Sequence, residues 1–327
     1  MVVNFLISLI LLFVGTQLLV NTAITISNRL NINRIVIGFT IVSLATSLPE
    51  LFVTLSSSIR GYHDFAIGNI IGSNISNISL VLGVTAIISP IIFSKKELYL
   101  NYVPLILIST AFVFILVQIG LFNLLYGVLA ILALISFNIF LFKNGKSILN
   151  AEQLEDPNIL IFFGKEIIIK KLFYLILILL SGSLILWMGS EMLVNSSKEI
   201  ALKLGVSDRV ISISLVALGT SLPELFSSIY AAYKKETQLA IGNLLGSNIF
   251  NMLAVLGVTT CINEISVGNN LEIDAFIMLF ITLFLLPCFY LSNLFRVEKN
   301  NHNMVISKIE GLSLLIIYVV YIIFVIN

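Results

Sequence analysis

Charge is what this sequence has least of. Its 327 residues include 17 acidic and 18 basic side chains, 11% in all, where soluble domains carry about 25%. So little charge cannot cover a water-facing surface. With 58% apolar residues and a mean hydropathy of +1.08, an ordinary soluble globule is excluded. The net charge of +1 supplies no basic field for nucleic acid. Only two cysteines are present, Cys261 and Cys288, far apart and in or beside apolar segments. That spacing offers neither a disulfide framework nor a metal-binding pair, and both read as inert thiols. The two histidines, His63 and His302, lie in loops. An intramembrane protease would need a buried nucleophile with a base beside it, and none is visible.

What the chain has instead is long apolar runs. They fall near residues 3–26, 35–59, 65–92, 98–118, 121–142, 172–195, 209–232, 238–262, 273–293 and 306–326. A membrane helix needs about 20 such residues. A β-barrel would show many ~10-residue segments of alternating polarity, and these runs are continuous. The expectation is an all-α integral membrane protein of ten transmembrane helices. The first run has no basic flank before Arg29 and no small-residue cleavage site, so it reads as a retained span and not as a signal peptide. The one long polar stretch between spans, 143–171, is short and mixed in charge and reads as a solvated tether.

This tether separates two copies of one unit. Adding 174 to a residue number carries Gly15–Asn21 onto Gly189–Asn195, Thr46-Ser-Leu-Pro-Glu50 onto Thr220-Ser-Leu-Pro-Glu224, and Gly68–Asn74 onto Gly242–Asn248. Residues 44–85 and 218–259 share 22 identities in 42 positions, among them Pro, Glu, Asn, Ser and Gly, which apolar composition does not supply. The division is a first five-helix repeat at 1–142, a linker at 143–171 and a second repeat at 172–327. Five is odd, so the second copy enters the membrane from the opposite face. Such inverted repeats recur in transporters. Loops after the odd-numbered spans hold 14 Lys/Arg and the other side holds 4. The positive-inside rule then places both termini outside and the linker in the cytoplasm of a cell-membrane protein.

Against this background two acids stand out. Most of the others sit in loops or near span ends, whereas Glu50 and Glu224 each lie mid-span. A charged carboxylate at the bilayer centre costs about 2.5–3.5 kcal/mol even on the gentler scales. Thr46 and Glu50 are four residues apart, on one helix face, with Ser47 beside them. Pro49 and Pro223 each lack an N–H and crowd the carbonyl four residues earlier, so the carbonyls of Ala45 and Gly219 are candidates to leave the helix ladder. Freed backbone at membrane depth is tolerated where it lines a cavity or is buried in protein. Hydroxyls, carbonyls and carboxylates form a hard oxygen set suited to Na⁺ and Ca²⁺.

The following span of each half carries Asn69, Ser73 and Asn77, or Asn243, Ser247 and Asn251, at four-residue spacing. Ser73, Asn77, Ser247 and Asn251 read as ligands. For Asn69, Asn74, Asn243 and Asn248 polar packing is an equal reading. Gly68, Gly72, Gly242 and Gly246 permit close approach of a neighbouring helix. Two ionised glutamates hold −2, which one Ca²⁺ or two monovalent cations neutralise. Competition for the same carboxylates is a physical basis for exchange. Glu191 replaces Gln17 between the repeats and reads as an interfacial acid by an ion entrance, with Trp187 as an interfacial anchor or lipid-facing bulk.

At these motifs the sequence resembles the sodium/calcium exchanger family of the cation/calcium antiporters, in its compact prokaryotic form. The resemblance covers the whole chain, with signature regions at 38–85 and 212–259. It implies two inverted five-helix repeats with broken helices at the ion site, and exchange of Ca²⁺ for about three Na⁺ by alternating access. It implies Ca²⁺ ligands at Thr46, Glu50, Thr220 and Glu224, and main-chain Na⁺ ligands at Ser43 and Ala217. Ser73 and Ser247 complete Na⁺ sites, and Ser47, Asn77, Ser221 and Asn251 line the centre. Ala45 departs from the family's usual Gly, and Asn251 from an Asp found in some members, which argues against K⁺ co-transport. No cofactor, enzymatic activity or obligate protein partner is implied; Na⁺ and Ca²⁺ are substrates, and the bilayer is the surroundings. H⁺- or K⁺-coupled exchange, or another divalent ion, is the alternative within transport. A cation channel built on the glutamate pair is the alternative outside it.

Overall fold

In the computed structural model, residues 2–93, 98–144, 158–203, 219–268, 271–294 and 304–326 are described. They are mostly helical. Helix α1 (Val2–Leu30) precedes a bent pair, α2 (Arg34–Thr46) and α3 (Leu48–Ile59), whose axes differ by 44°. Then come α4 (His63–Ile88), α5 (Tyr99–Gln118), α6 (Leu124–Asn144) and α7 (Leu172–Lys203). The last four are α8 (Leu222–Tyr233), α9 (Thr237–Ile262), α10 (Glu272–Leu294) and α11 (Lys308–Ile326). Among the described residues seven helices are long and apolar enough to cross a membrane, or eight with the bent pair taken as one span. The first half of the expected seventh span, 209–218, lies outside the described residues, as does His302.

Apolar side chains all round these helices leave the backbone no partner but its own ladder, which is why the long runs are helical. Their outer faces expose large apolar residues, such as Leu107, Leu125, Phe173 and Ile316. The inner faces form one core around α4, α5, α9 and α10, and a second between α1 and α7. Small residues set the closest crossings. A Cβ on Gly15 would lie 2.7 Å from the Leu186 nitrogen, and one on Gly182 2.9 Å from that of Leu19, so α1 and α7 run antiparallel in contact. Gly38 and Gly242 bring α2 against α9, where a Cβ would collide with the carbonyls of Leu239 and Ile35. Gly246 meets Phe39 in the same way. The packing role expected of Gly242 and Gly246 is thus present. The segment that the repeat would set opposite Gly68 and Gly72 lies outside the described residues.

The solvated tether needs correction in its second part. Strands β3 (Ile159–Phe162) and β4 (Lys165–Ile168) form an antiparallel hairpin that packs on α1, with Leu160 and Ile169 buried in the α1–α7 core. Leu160 of β3 turns into the core while β4 stays exposed along its length, and Lys165 and Glu166, close behind the short apolar run, mask it in sequence. Two further short antiparallel pairs tie loops together: β1 (Ile91–Phe93) with β6 (Met304–Ile306), and β2 (Leu121–Phe122) with β5 (Ile265–Ser266).

Candidate functional site

Among the described residues, the end of α2, the starts of α3 and α8 and the middles of two further helices converge in the core. The α2–α3 break falls at Ser47, where φ −85° and ψ 6° leave the helical region, and Pro49 occupies the first turn of α3. Ser221 repeats the geometry at φ −84° and ψ 2°, with Pro223 in the first turn of α8. Proline is tolerated there because a first-turn N–H has no intrahelical partner. Glu50 and Glu224 therefore sit in the opening turns of α3 and α8, both fully buried. Of the carbonyls expected to leave the ladder, that of Gly219 accepts a 2.6 Å bond from the Ser190 hydroxyl of α7.

The facing helices α4 and α9 each loosen into a π-helical turn, Asn77–Val81 and Asn251–Val255. Such turns concentrate at functional sites. Both begin on the asparagine expected to be a ligand. The apolar periodicity gave no sign of them.

The structure brings the expected residues together across the two halves. Thr46 donates to Asn243 Oδ1 at 3.1 Å and lies 3.4 Å from the Ser247 hydroxyl. Ser73 meets Thr220 at 3.1 Å, the same contact with the halves exchanged. Ser47 and Ser247 each donate to Glu224 Oε1 at 3.3 Å. Ser43 is buried in α2, its hydroxyl turned back to the Phe39 carbonyl. Ala217 lies outside the described residues. Asn69, Asn74, Asn243 and Asn248 all have protein partners, although Oδ1 of Asn248 has none. Asn74 and Asn248 exchange bonds to each other's carbonyls at 3.4 and 3.3 Å, while Asn69 donates to Thr54 and Asn243 to Ser228.

Around these contacts is a set of buried atoms with no partner. Both carboxylate oxygens of Glu50, Oε2 of Glu224, both polar atoms of Asn77, Oδ1 of Asn251 and the Ser221 hydroxyl make no hydrogen bond. Buried polar atoms are nearly always paired, and each exception calls for a cause. All of these except the Asn77 amide nitrogen are oxygens, hard donors toward a cation. No group of three or more His, Cys, Asp or Glu occurs among the described residues, so the set is two carboxylates amid neutral oxygens. Such a site suits a small hard cation held loosely enough to leave.

A cavity of about 520 Å³ leads to this region. Pro49, Phe52, Ser56 and Ser57 of α3 line one side, Trp187, Glu191 and Asn195 of α7 the other, and Thr220 is at its wall. Helix α7 runs to Lys203 and not to the expected 195, so Glu191 lies along this cavity and away from the helix end. Trp187 stacks on Phe52 with ring centroids 5.3 Å apart. The motifs did not point to Ser190 or Thr54. Ser190 lies inside the repeated Gly189–Asn195 block, where its match to Thr16 in the other copy was the available signal.

Fold and site together describe an integral membrane protein with two carboxylates and a set of neutral oxygens buried among its helices. The model of the family described as sodium/calcium exchanger protein matches residues 1–143 and 174–327, and the chain belongs to that family. The family is one of exchangers, which makes the chain a cation/Ca²⁺ antiporter by family. It is 33% identical to a putative antiporter, CaxA, of Alkalimonas amylolytica, over 97% of this chain and 95% of the relative. It is 31% identical to the sodium/calcium exchanger MaX1 of Methanosarcina acetivorans, over 98% of each. A solved structure of the sodium–calcium exchanger NCX_Mj superposes with a TM-score of 0.79 at 30% identity, covering 98% of this chain and 97% of that one.

Proposed function

We propose that this chain exchanges Na⁺ for Ca²⁺ by alternating access, with Glu50 and Glu224 as the shared carboxylates. The observation that carries the reading is the cluster of unpartnered buried oxygens on those two side chains and on Asn77, Ser221 and Asn251. In the proposed site Thr46, Glu50, Thr220 and Glu224 hold Ca²⁺. Ser73, Ser247 and the main-chain oxygens of Ser43 and Ala217 serve Na⁺, and Ser47, Asn77, Ser221 and Asn251 line the centre. Two carboxylates balance one Ca²⁺ or two Na⁺, so the loads exclude each other. A third Na⁺ makes each cycle move one net charge.

The architecture proposed with it is ten helices in two inverted repeats, 1–142 and 172–327, joined by a cytoplasmic linker at 143–171 in the cell membrane. The contacts repeated at an offset of 174 support it, since Thr46–Ser247 mirrors Ser73–Thr220. The excess of basic residues in the loops after odd-numbered spans supports an arrangement with both ends of the chain outside. MaX1 and NCX_Mj, both named as sodium/calcium exchangers, favour Na⁺ as counter-ion.

The test is Ca²⁺ uptake into vesicles containing the purified protein. Uptake driven by an outward Na⁺ gradient and shifted by membrane potential is the expected result. Uptake that ignores Na⁺ and follows a pH or K⁺ gradient overturns the choice of counter-ion, and single-channel currents overturn the carrier.

A further inference from the structure

The two repeats are alike in sequence and unlike in exposure. On α7, Trp187, Glu191 and Asn195 line the open cavity. Subtracting 174 gives Phe13, Gln17 and Asn21, which with Thr25 form one stripe along α1, since residues four apart share a helix face. Gln17 and Asn21 are each only 6% exposed, and Thr25 3%. Two things cover this face. One is α8, whose Tyr230 hydroxyl accepts from Asn21 at 3.3 Å. The other is the β3–β4 hairpin. Thr25 donates to the Ile159 carbonyl at 3.2 Å, the Phe163 N–H donates to Gln17 Oε1 at 3.3 Å, and the Phe163 ring meets Phe13 edge-on at 6.0 Å. Arg29, one turn further along, donates to the carbonyls of Ile169 and Lys170. Ile159 and Ile161 also face Lys234 and Glu236 of the α8–α9 turn across a 70 Å³ gap.

The hairpin has two marks of a device added to a working core. It lies in the stretch 144–173 that the family match leaves out. Its turn is also built against local preference. Phe163 and Gly164 both have positive φ, 48° and 73°, as a two-residue hairpin loop of the I′ kind requires. That conformation favours Asn or Gly at the first position and is an outlier for a bulky side chain. The ring is kept there in spite of the turn, and it touches Phe13.

We propose that the hairpin Ile159–Ile168 is a plug on the cytoplasmic access route. It occupies the α1 face whose repeat counterpart on α7 lines the open cavity, and it must leave that face before ions can pass to the inside. The hairpin thereby slows inward opening and sets the rate of the exchange cycle. The proposal rests on the alternating-access reading and on the cytoplasmic placement of the linker.

Two measurements decide it, both in vesicles with Cys261 and Cys288 replaced by Ala. In the first, Gln17→Cys and Phe163→Cys are joined by oxidation. Na⁺-driven Ca²⁺ uptake should fall at least tenfold and recover on addition of dithiothreitol, with Gln17→Cys alone indifferent to both reagents. Full uptake by the cross-linked protein overturns the plug, because the hairpin would then ride with α1. In the second, Ile159–Ile168 is replaced by a Gly/Ser segment of equal length, and separately Phe163→Asn relaxes the turn while removing the ring. Both variants should raise uptake at least threefold. Both should also let a membrane-impermeant maleimide reach a cysteine at position 21 (Asn21→Cys) from the linker side. Unchanged labelling and unchanged rate overturn the proposal. Absence of Na⁺-driven uptake in the unmodified protein would instead refute the exchanger reading, and the labelling result still decides whether the hairpin seals that face.

Discussion

At the scale of single residues, the proposed chemistry rests on two carboxylates of whose four oxygens protein atoms satisfy one. Glu50 has no hydrogen-bond partner on either oxygen, and Glu224 has partners on one. Glu50→Gln and Glu224→Gln keep shape and remove charge, so each should reduce Ca²⁺ uptake to background; near-normal flux in both variants would refute shared-carboxylate exchange. Ser190 is a different case. Its hydroxyl is bonded to the Gly219 carbonyl at the helix break, and Ser190→Ala would leave that acceptor without its partner at a cost of about 1–3 kcal/mol. A lower midpoint of thermal unfolding in detergent is the expected readout, and the Thr16→Ala variant is the control, since Thr16 makes no such bond. Both glutamates were legible in the sequence because charge is scarce here and their depth followed from the apolar runs. Ser190 was not, since a serine in a membrane helix is common and only its contact distinguishes it.

The elements show where local sequence was sufficient and where it was not. The two helix breaks follow from proline, and they occur one residue after the threonines that the repeat aligns. The π turns that start at Asn77 and Asn251 carry no such marker, because one extra residue in a helical turn leaves apolar spacing almost unaltered. Helix pairing depends on glycines that the repeat made visible, Gly15, Gly189 and Gly242, though their partners were not readable. Substituting Gly182 by Val tests the α1–α7 contact, where a Cβ already lies 2.9 Å from backbone. Overpacking of this kind costs about 1–3 kcal/mol, and a lowered unfolding temperature with loss of exchange is expected. Unchanged unfolding and flux would mean that α1 and α7 part readily. The hairpin at 159–168 was the element least legible. Its apolar residues number too few to stand out beside membrane spans, and its burial depends on α1 lying next to it.

For the whole molecule, the expected signature is the response to voltage. One net charge moved per cycle is worth about 2.3 kcal/mol per 100 mV, so a 100 mV clamp should shift the equilibrium Ca²⁺ ratio about 50-fold. Electroneutral exchange would leave that ratio unmoved. The sequence by itself determined the membrane location, the internal repeat and the pair of buried glutamates. Each of these is a property of local composition or of self-comparison, and needs no knowledge of what touches what. Only the tertiary structure decided that Thr46 meets Ser247 and Ser73 meets Thr220. It also decided that one copy of a repeated helix face lines a cavity while the other is covered. Gly15–Asn21 and Gly189–Asn195 match at four of seven positions and are helical in both copies, and helix preference by itself does not make one face open and the other closed. That difference comes from their neighbours, α3 beside α7 on one side, α8 and the hairpin against α1 on the other.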